Sequence, residues 1–161
     1  MFEELLEIKG LREKTAAAEV GKAQDFVVAC QQAVKDAEQA VVDYRAFRLK
    51  EEVRLFDEIK GHSVKVEAID EMKFKITKLR EKEAELEAVI DEKKKAVTDA
   101  EAAVVKAEEA HVEAQRAVEK FEEFVEIQRE ERLKEAAEAE EAEVEEISEA
   151  IFSGRMRSAQ G

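Results

Sequence analysis

Forty-one carboxylates, two histidines and one cysteine are the side chains of this 161-residue chain that could do chemistry. Their spacing argues against it. Cys30 is alone, so it has no partner for an internal disulfide, and no metal-ligand spacing surrounds it. It falls on an apolar stripe, as a small buried residue would. His62 stands in a Gly-His-Ser connection and reads as a loop residue, while His111 sits singly on a helical seam, as an accommodated core histidine. The carboxylates are spread along helical sequence, pointing outward and hydrated, which leaves no pair tuned for acid–base work. No Gly-x-x-x-x-Gly-Lys-Ser/Thr phosphate loop occurs, and no loop is long enough to build a pocket. The expectation is no enzyme, no cofactor and no metal site.

The elements carrying these residues are helical. From Met72 to Arg132 an apolar or small residue returns at alternating three- and four-residue spacing. The seam is Met72, Ile76, Leu79, Glu83, Leu86, Ile90, Lys93, Val97, Ala100, Val104, Ala107, His111, Ala114, Val118, Phe121, Val125, Gln128, Arg132. A 3.5-residue repeat of this kind keeps one narrow stripe facing a partner helix, the signature of a coiled coil. Glu83 and Lys93 interrupt it, as polar residues that specify register do. The partner stripe lies upstream, at Val20, Ala23, Val27, Cys30, Val34, Ala37, Val41, Tyr44 and, past polar Arg48 and Glu51, Leu55. Phe26, Ala33, Ala40 and Phe47 flank it and predict a wider apolar face. Tyr44, Phe47 and Phe56 at helical spacing read as core.

Composition agrees. The chain has no Pro, where average usage would place roughly eight. Pro costs about 3 kcal/mol inside a helix, so its absence suits long uninterrupted ones. Gly10 and Gly21 should loosen the N-terminal third. A net charge of −14 and the lack of a long basic run disfavour nucleic acid and an anionic bilayer as partners. The N-terminus shows no signal-peptide pattern and no apolar run reaches a membrane span, so a cytoplasmic protein without membrane insertion is expected.

Gly61-His62-Ser63 is the break. Gly61 suits a helix C-terminus and Ser63 the N-cap of the next helix. The fold expected is all-α: an antiparallel coiled-coil hairpin over 1–152, with helix 1 at about 2–60, a turn at about 61–65 and helix 2 at about 66–152. Residues 153–161 read as a disordered tail. Position i then faces position ~129 − i, and helix 2 overhangs the start of helix 1 by roughly 20 residues. The overhang is the acidic run from Glu135, where Val144, Ile147 and Ile151 keep a helical stripe. A hairpin burying its own seam is expected to be monomeric.

Two strings then carry a resemblance. Val42-Asp43-Tyr44-Arg45-Ala46-Phe47-Arg48-Leu49-Lys50-Glu51-Glu52-Val53-Arg54-Leu55-Phe56-Asp57, and Ile76-Thr-Lys-Leu79-Arg80-Glu81-Lys82-Glu83-Ala84 after the turn, resemble the YscO family of type III secretion systems. These are the injectisome counterparts of the flagellar export protein FliJ. Lys120-Phe121-Glu-Glu-Phe124-Val125 is a weaker echo. The resemblance implies a two-helix coiled coil similar to that of the γ subunit of rotary ATP synthases, acting as a central stalk. Its open end would meet the hexameric export ATPase, and its turn-proximal part the export-gate membrane protein. Export chaperones would be further partners. The place implied is the cytoplasmic side of the inner membrane, at the base of a bacterial secretion apparatus.

Transferred residue by residue, the ATPase-facing end holds Phe2, Leu5, Leu6, Ile8 and Leu11 with Phe121, Phe124, Val125 and Ile127. Phe2, Leu6, Phe124 and Ile127 are the foremost ATPase-binding candidates, because apolar residues beyond a seam's width are free for partners. The flagellar gate contacts map, through the Ile-x-x-Leu anchor, onto Lys75, Leu79, Lys82 and Leu86. Two other readings stand beside the stalk: a chaperone-binding escort module using the acidic overhang or the Ala-rich grooves, and a self-associating spacer.

Overall fold

With no Pro to interrupt it, the backbone forms two long helices, α1 (Phe2–Ile59, 58 residues) and α2 (Val66–Gln160, 95 residues). The computed structural model describes residues 2–61, 63 and 65–160. Glu3 and Glu4 open α1 and Glu67 opens α2, while Arg157 lies in the last turn of α2, each charge opposing the local end of the helix dipole. α1 passes through Gly10 and Gly21 without a break.

The turn is built from backbone. The Lys60 N–H donates to the Phe56 carbonyl at 3.0 Å, and Gly61 follows with φ 78°, the left-handed conformation that a Cβ would strain. On the far side the N–H groups of Ala68 and Ile69 donate to the Lys65 carbonyl at 3.0 and 3.4 Å. Lys65 therefore stands at the helix start, and the capping role expected of Ser63 is corrected: Ser63 lies two residues too early. His62 falls outside the described residues, as does Gly161. The disordered tail expected from residue 153 also differs from the structure, because α2 continues to Gln160. Gly154 keeps a negative φ, so it costs helix propensity without ending the helix, and no Pro follows to stop it.

Contacts gather into two units, residues 16–110 and residues 1–15 with 111–161. In the first, α1 and α2 run antiparallel from the turn. Its core is Cys30, Val41, Leu55, Met72 and Ala100, each at most 9% exposed, and all five are seam positions. Between them the seam is half-buried, Lys93 excepted, whose long side chain leaves the stripe for solvent. The wider face expected from the flanks is not there. Phe26, Phe47 and Phe56 are 60%, 52% and 57% exposed, and of the four flanking residues only Ala33 is partly covered. Two helices bury one stripe each, and a residue one position off it meets water.

The second unit sets the first turns of α1 antiparallel to α2. His111 Nε2 lies 2.7 Å from Glu13 Oε1, the Phe2 ring packs on Phe124, and Glu3 faces Arg129. These pairs match the expected register to within one or two turns. No described residue of this unit is fully buried, and every residue from Arg129 to Ala159 is exposed.

Leu55, 4% exposed, is the largest of the buried aliphatic side chains, so Leu55→Ala should lower unfolding free energy by about 2–3 kcal/mol in urea titrations followed by circular dichroism. Leu49→Ala, on the 52% exposed face, should change it by less than about 0.5 kcal/mol.

Candidate functional site

The ATPase-binding candidates gather where α1 begins. Phe2 meets Phe124 edge to face, ring centroids 5.2 Å apart and planes at 80°. The Phe121 ring centroid lies 5.7 Å from that of Phe124, and Lys9 Nζ sits 5.5 Å over the Phe121 ring. Edge-to-face packing lets the positive rim of one ring meet the negative face of the next, so the three rings form one cluster. Phe121 and Val125 belong to the half-buried seam, whereas Phe124 and Ile127 lie off it, 39% and 51% exposed. Leu6 is half-buried; Leu5, Ile8 and Leu11 are exposed at 42%, 45% and 63%. Phe2 also borders a shallow groove with Glu3, Val125, Gln128, Arg129 and Arg132. Of the four candidates, contact joins Phe2 to Phe124.

The gate candidates divide. Leu79 and Leu86 are half-buried in the seam, while Lys75 and Lys82 are exposed. Lys75 Nζ sits 3.8 Å from Glu71, one turn back on the same helix. Two of the four are thus occupied in holding the helices together.

At the same level of the helix pair lies an ion-pair network that explains the polar interruption at Glu83. The Arg45 Nε–H donates to Glu83 Oε1 at 2.6 Å and Arg45 Nη2 to Glu87 at 3.0 Å. Arg48 Nη1 donates to Glu52 at 2.9 Å, and Arg80 Nε reaches the same Glu52 oxygen at 3.1 Å from the other helix. Arg48 Nε is 2.6 Å from Glu83 Oε2, an ion pair by distance, but its N–H is misaligned and makes no hydrogen bond. Side-chain exposure of only 12% for Glu83 and 15% for Arg48 and Glu52 sets this group apart from the open i,i+4 pairs elsewhere. The Arg45 hydrogen bond, more than the nearby Arg48 charge, holds the Glu83 carboxyl below the ordinary carboxylate value, against the effect of burial. The Arg80 bond does the same for Glu52. Both arginines facing Glu83 are raised in turn.

Among the described residues no group of three or more His, Cys, Asp and Glu is arranged to hold a metal, and no helix is long and apolar enough to cross a membrane.

Comparison with known families matches residues 2–150 to the family model of type III secretion protein YscO. The chain belongs to the YscO family. It is also similar to the crystal structure of type III secretion protein YscO from Vibrio parahaemolyticus, with 30% identity over 88% of this chain and 92% of that one and a TM-score of 0.72. No curated protein matches it.

In this YscO-family chain the two strings that carry the resemblance prove to be physical partners. Arg45, Arg48 and Glu52 belong to the first, Arg80 and Glu83 to the second, and the network joins them across the helix pair. Sequence reading took Glu83 as a polar residue specifying register but did not find its partners, Arg45 and Arg48. It also missed Phe74, 61% exposed with Lys78 Nζ 5.3 Å above its ring. An aromatic residue off the seam beside lysines was the signal available.

Because the folded-state values of Glu83 and Glu52 are depressed, their contribution to stability is complete above the ordinary glutamate value of 4.5 and is lost as pH falls through the lowered values. Glu83→Gln should therefore lower Tm by a few degrees at neutral pH. The gap to wild type should close on acidification below about pH 4, as thermal melts across pH would show. Neutralising the many outward carboxylates shifts both variants alike, so the gap isolates the network.

Proposed function

We propose that this chain is the central stalk of a type III secretion system, linking the hexameric export ATPase to the cytoplasmic part of the export-gate protein. The observation that carries the ATPase half is the outward aromatic cluster at the start of α1. Phe124 and Ile127 are exposed and off the seam, and Phe2 braces Phe124 from α1. A partner can cover these side chains without parting the helices. Membership of a secretion family supports the reading. The chain would work without chemistry of its own, by holding ATPase subunits in successive conformations. On the gate side, Lys75 and Lys82 are free to meet a partner, and Leu79 and Leu86 hold the stripe behind them.

A second reading is a chaperone escort. It draws on the exposed stripe Val144, Ile147 and Ile151 (61%, 60% and 52%) in the acidic stretch of α2. Stoichiometry separates the two, since a stalk loads about one copy per ATPase hexamer and an escort binds chaperone dimers.

The test is ATP hydrolysis by the cognate export ATPase with and without this chain, beside a Phe124→Asp, Ile127→Asp double variant. Substoichiometric stimulation that falls roughly tenfold or more in the variant is expected, since charging two apolar contacts should cost above 1.4 kcal/mol of binding. A wild-type chain that neither binds nor stimulates the assembled ATPase would favour the escort.

A further inference from the structure

Most of the chain is acidic, but one stretch of α2 is strongly basic. From residue 73 to 82 it carries Lys73, Lys75, Lys78, Arg80 and Lys82 against a single acid, Glu81. Arg80 is drawn into the ion-pair network by Glu52. Lys75 and Lys78 are 54% and 59% exposed, and among the described residues their ion pairs are to same-helix neighbours, Glu71 at 3.8 Å and Glu81 at 3.3 Å, while Glu51 across the groove also feels the Lys75 charge. Exposed pairs of that kind contribute between nothing and about 1 kcal/mol, so an incoming carboxylate can replace them.

These two lysines form the rim of a groove. Its apolar lining is Tyr44, Leu55, Phe74 and Leu79, and its volume is about 350 Å³. That lies at the lower end of ligand-pocket volumes, but the groove is open along one side, a shape for one or two side chains of a bound segment and not for an enclosed small molecule. Phe74, 61% exposed, stands as an apolar wall with the Lys78 ammonium over its face. Phe47 extends the aromatic surface, 5.8 Å from Tyr44 and 52% exposed. Glu51 is the one acid on the lining, and Arg54 on the same helix already neutralises it. What the groove offers is apolar contact between exposed ammonium groups held only by weak same-helix pairs.

We propose that this groove docks an acidic segment of a partner protein, one that inserts an aromatic or aliphatic anchor against Phe74 and Tyr44 and lays carboxylates on Lys75 and Lys78. Charge selects the occupant. A basic segment would be repelled by the lysine rim, whereas an acidic one meets here a strong local excess of positive charge on a chain of net charge −14. The groove shares Lys75 and Leu79 with the gate stripe, so the inference rests on the gate half of the proposed function and names the chemistry of the segment bound there, while nothing in the docking depends on the ATPase.

The experiment is selection of random peptides displayed on phage against the full chain, followed by binding titrations of the enriched peptides. Peptides combining Asp or Glu with Phe, Leu or Ile are expected. Their affinity should fall roughly tenfold or more for Lys75→Glu, Lys78→Glu and for Phe74→Ala, and should weaken with salt. All three substituted side chains are exposed, and circular dichroism should confirm an unchanged helix pair. No enrichment, enrichment of neutral or basic peptides, or equal affinity for the charge-reversed variant would overturn the proposal. Concentration-dependent dimers abolished by the same reversal would assign the groove to a second copy and overturn a foreign partner. Phe74→Ala, at a residue outside both the ATPase and the gate candidates, should keep ATPase stimulation, so failure here and failure of the stalk reading remain separate results.

Discussion

Two helices with no third layer to cover them can bury only the stripe along which they touch, and everything else in this fold follows from that limit. Each residue has six or more neighbours in an ordinary core, but here it has one facing helix. The five best-buried side chains are accordingly small or slender, and all lie in residues 16–110. Ala100, only 3% exposed, marks a point where the backbones come close, and Cys30 and Val41 fit the same thin space. Hydrophobic stabilisation then accumulates by length rather than by depth, so the helices must be long.

A thin seam also explains why the polar residues within it have different fates. Lys93 reaches water along its own stem and needs no partner. Glu83 is too short for that, and it stays inside because Arg45 and Arg48 arrive from α1. Removing one member of such a group leaves the others uncompensated, while replacing all of them by apolar residues need cost nothing. The network is therefore better understood as a register pin than as a source of net stability: a shift of one turn would part Glu83 from Arg45 and Glu52 from Arg80.

The sequence made the stripe legible because a 3.5-residue repeat is a property of the chain alone. Cys30, Val41, Leu55, Met72 and Ala100 all fall where that repeat puts them. It did not make legible what depends on the other helix. Whether Glu83 is a fault or a pin rests on which residue lies opposite, and an error of one turn in register changes the answer. Phe47 and Phe56 read as core from their helical spacing, and Phe26 as a flank of a wider apolar face. In a two-helix fold both readings fail, since one position off the stripe is already solvent. The extension of α2 to Gln160 was hidden for a related reason: Gly154 marks a helix end only when its φ turns positive.

The same geometry divides the candidate contacts into two kinds. A residue off the stripe, such as Phe124 or Phe74, can be covered by a partner while the helices remain paired, so binding draws on nothing that folding needs. A residue on the stripe, such as Leu79 or Leu86, offers a partner only the part of its surface that the seam leaves open. A partner that took the rest would have to part the helices there and offset the burial lost, several kcal/mol for two leucines at about 25 cal/mol per Å². Lys75 and Lys82, exposed beside those leucines, carry no such cost. A contact on this face is thus better made by the lysines and by Phe74, with Leu79 and Leu86 keeping the surface beneath them rigid. The net charge of −14 opposes the meeting of two copies through these outward apolar residues.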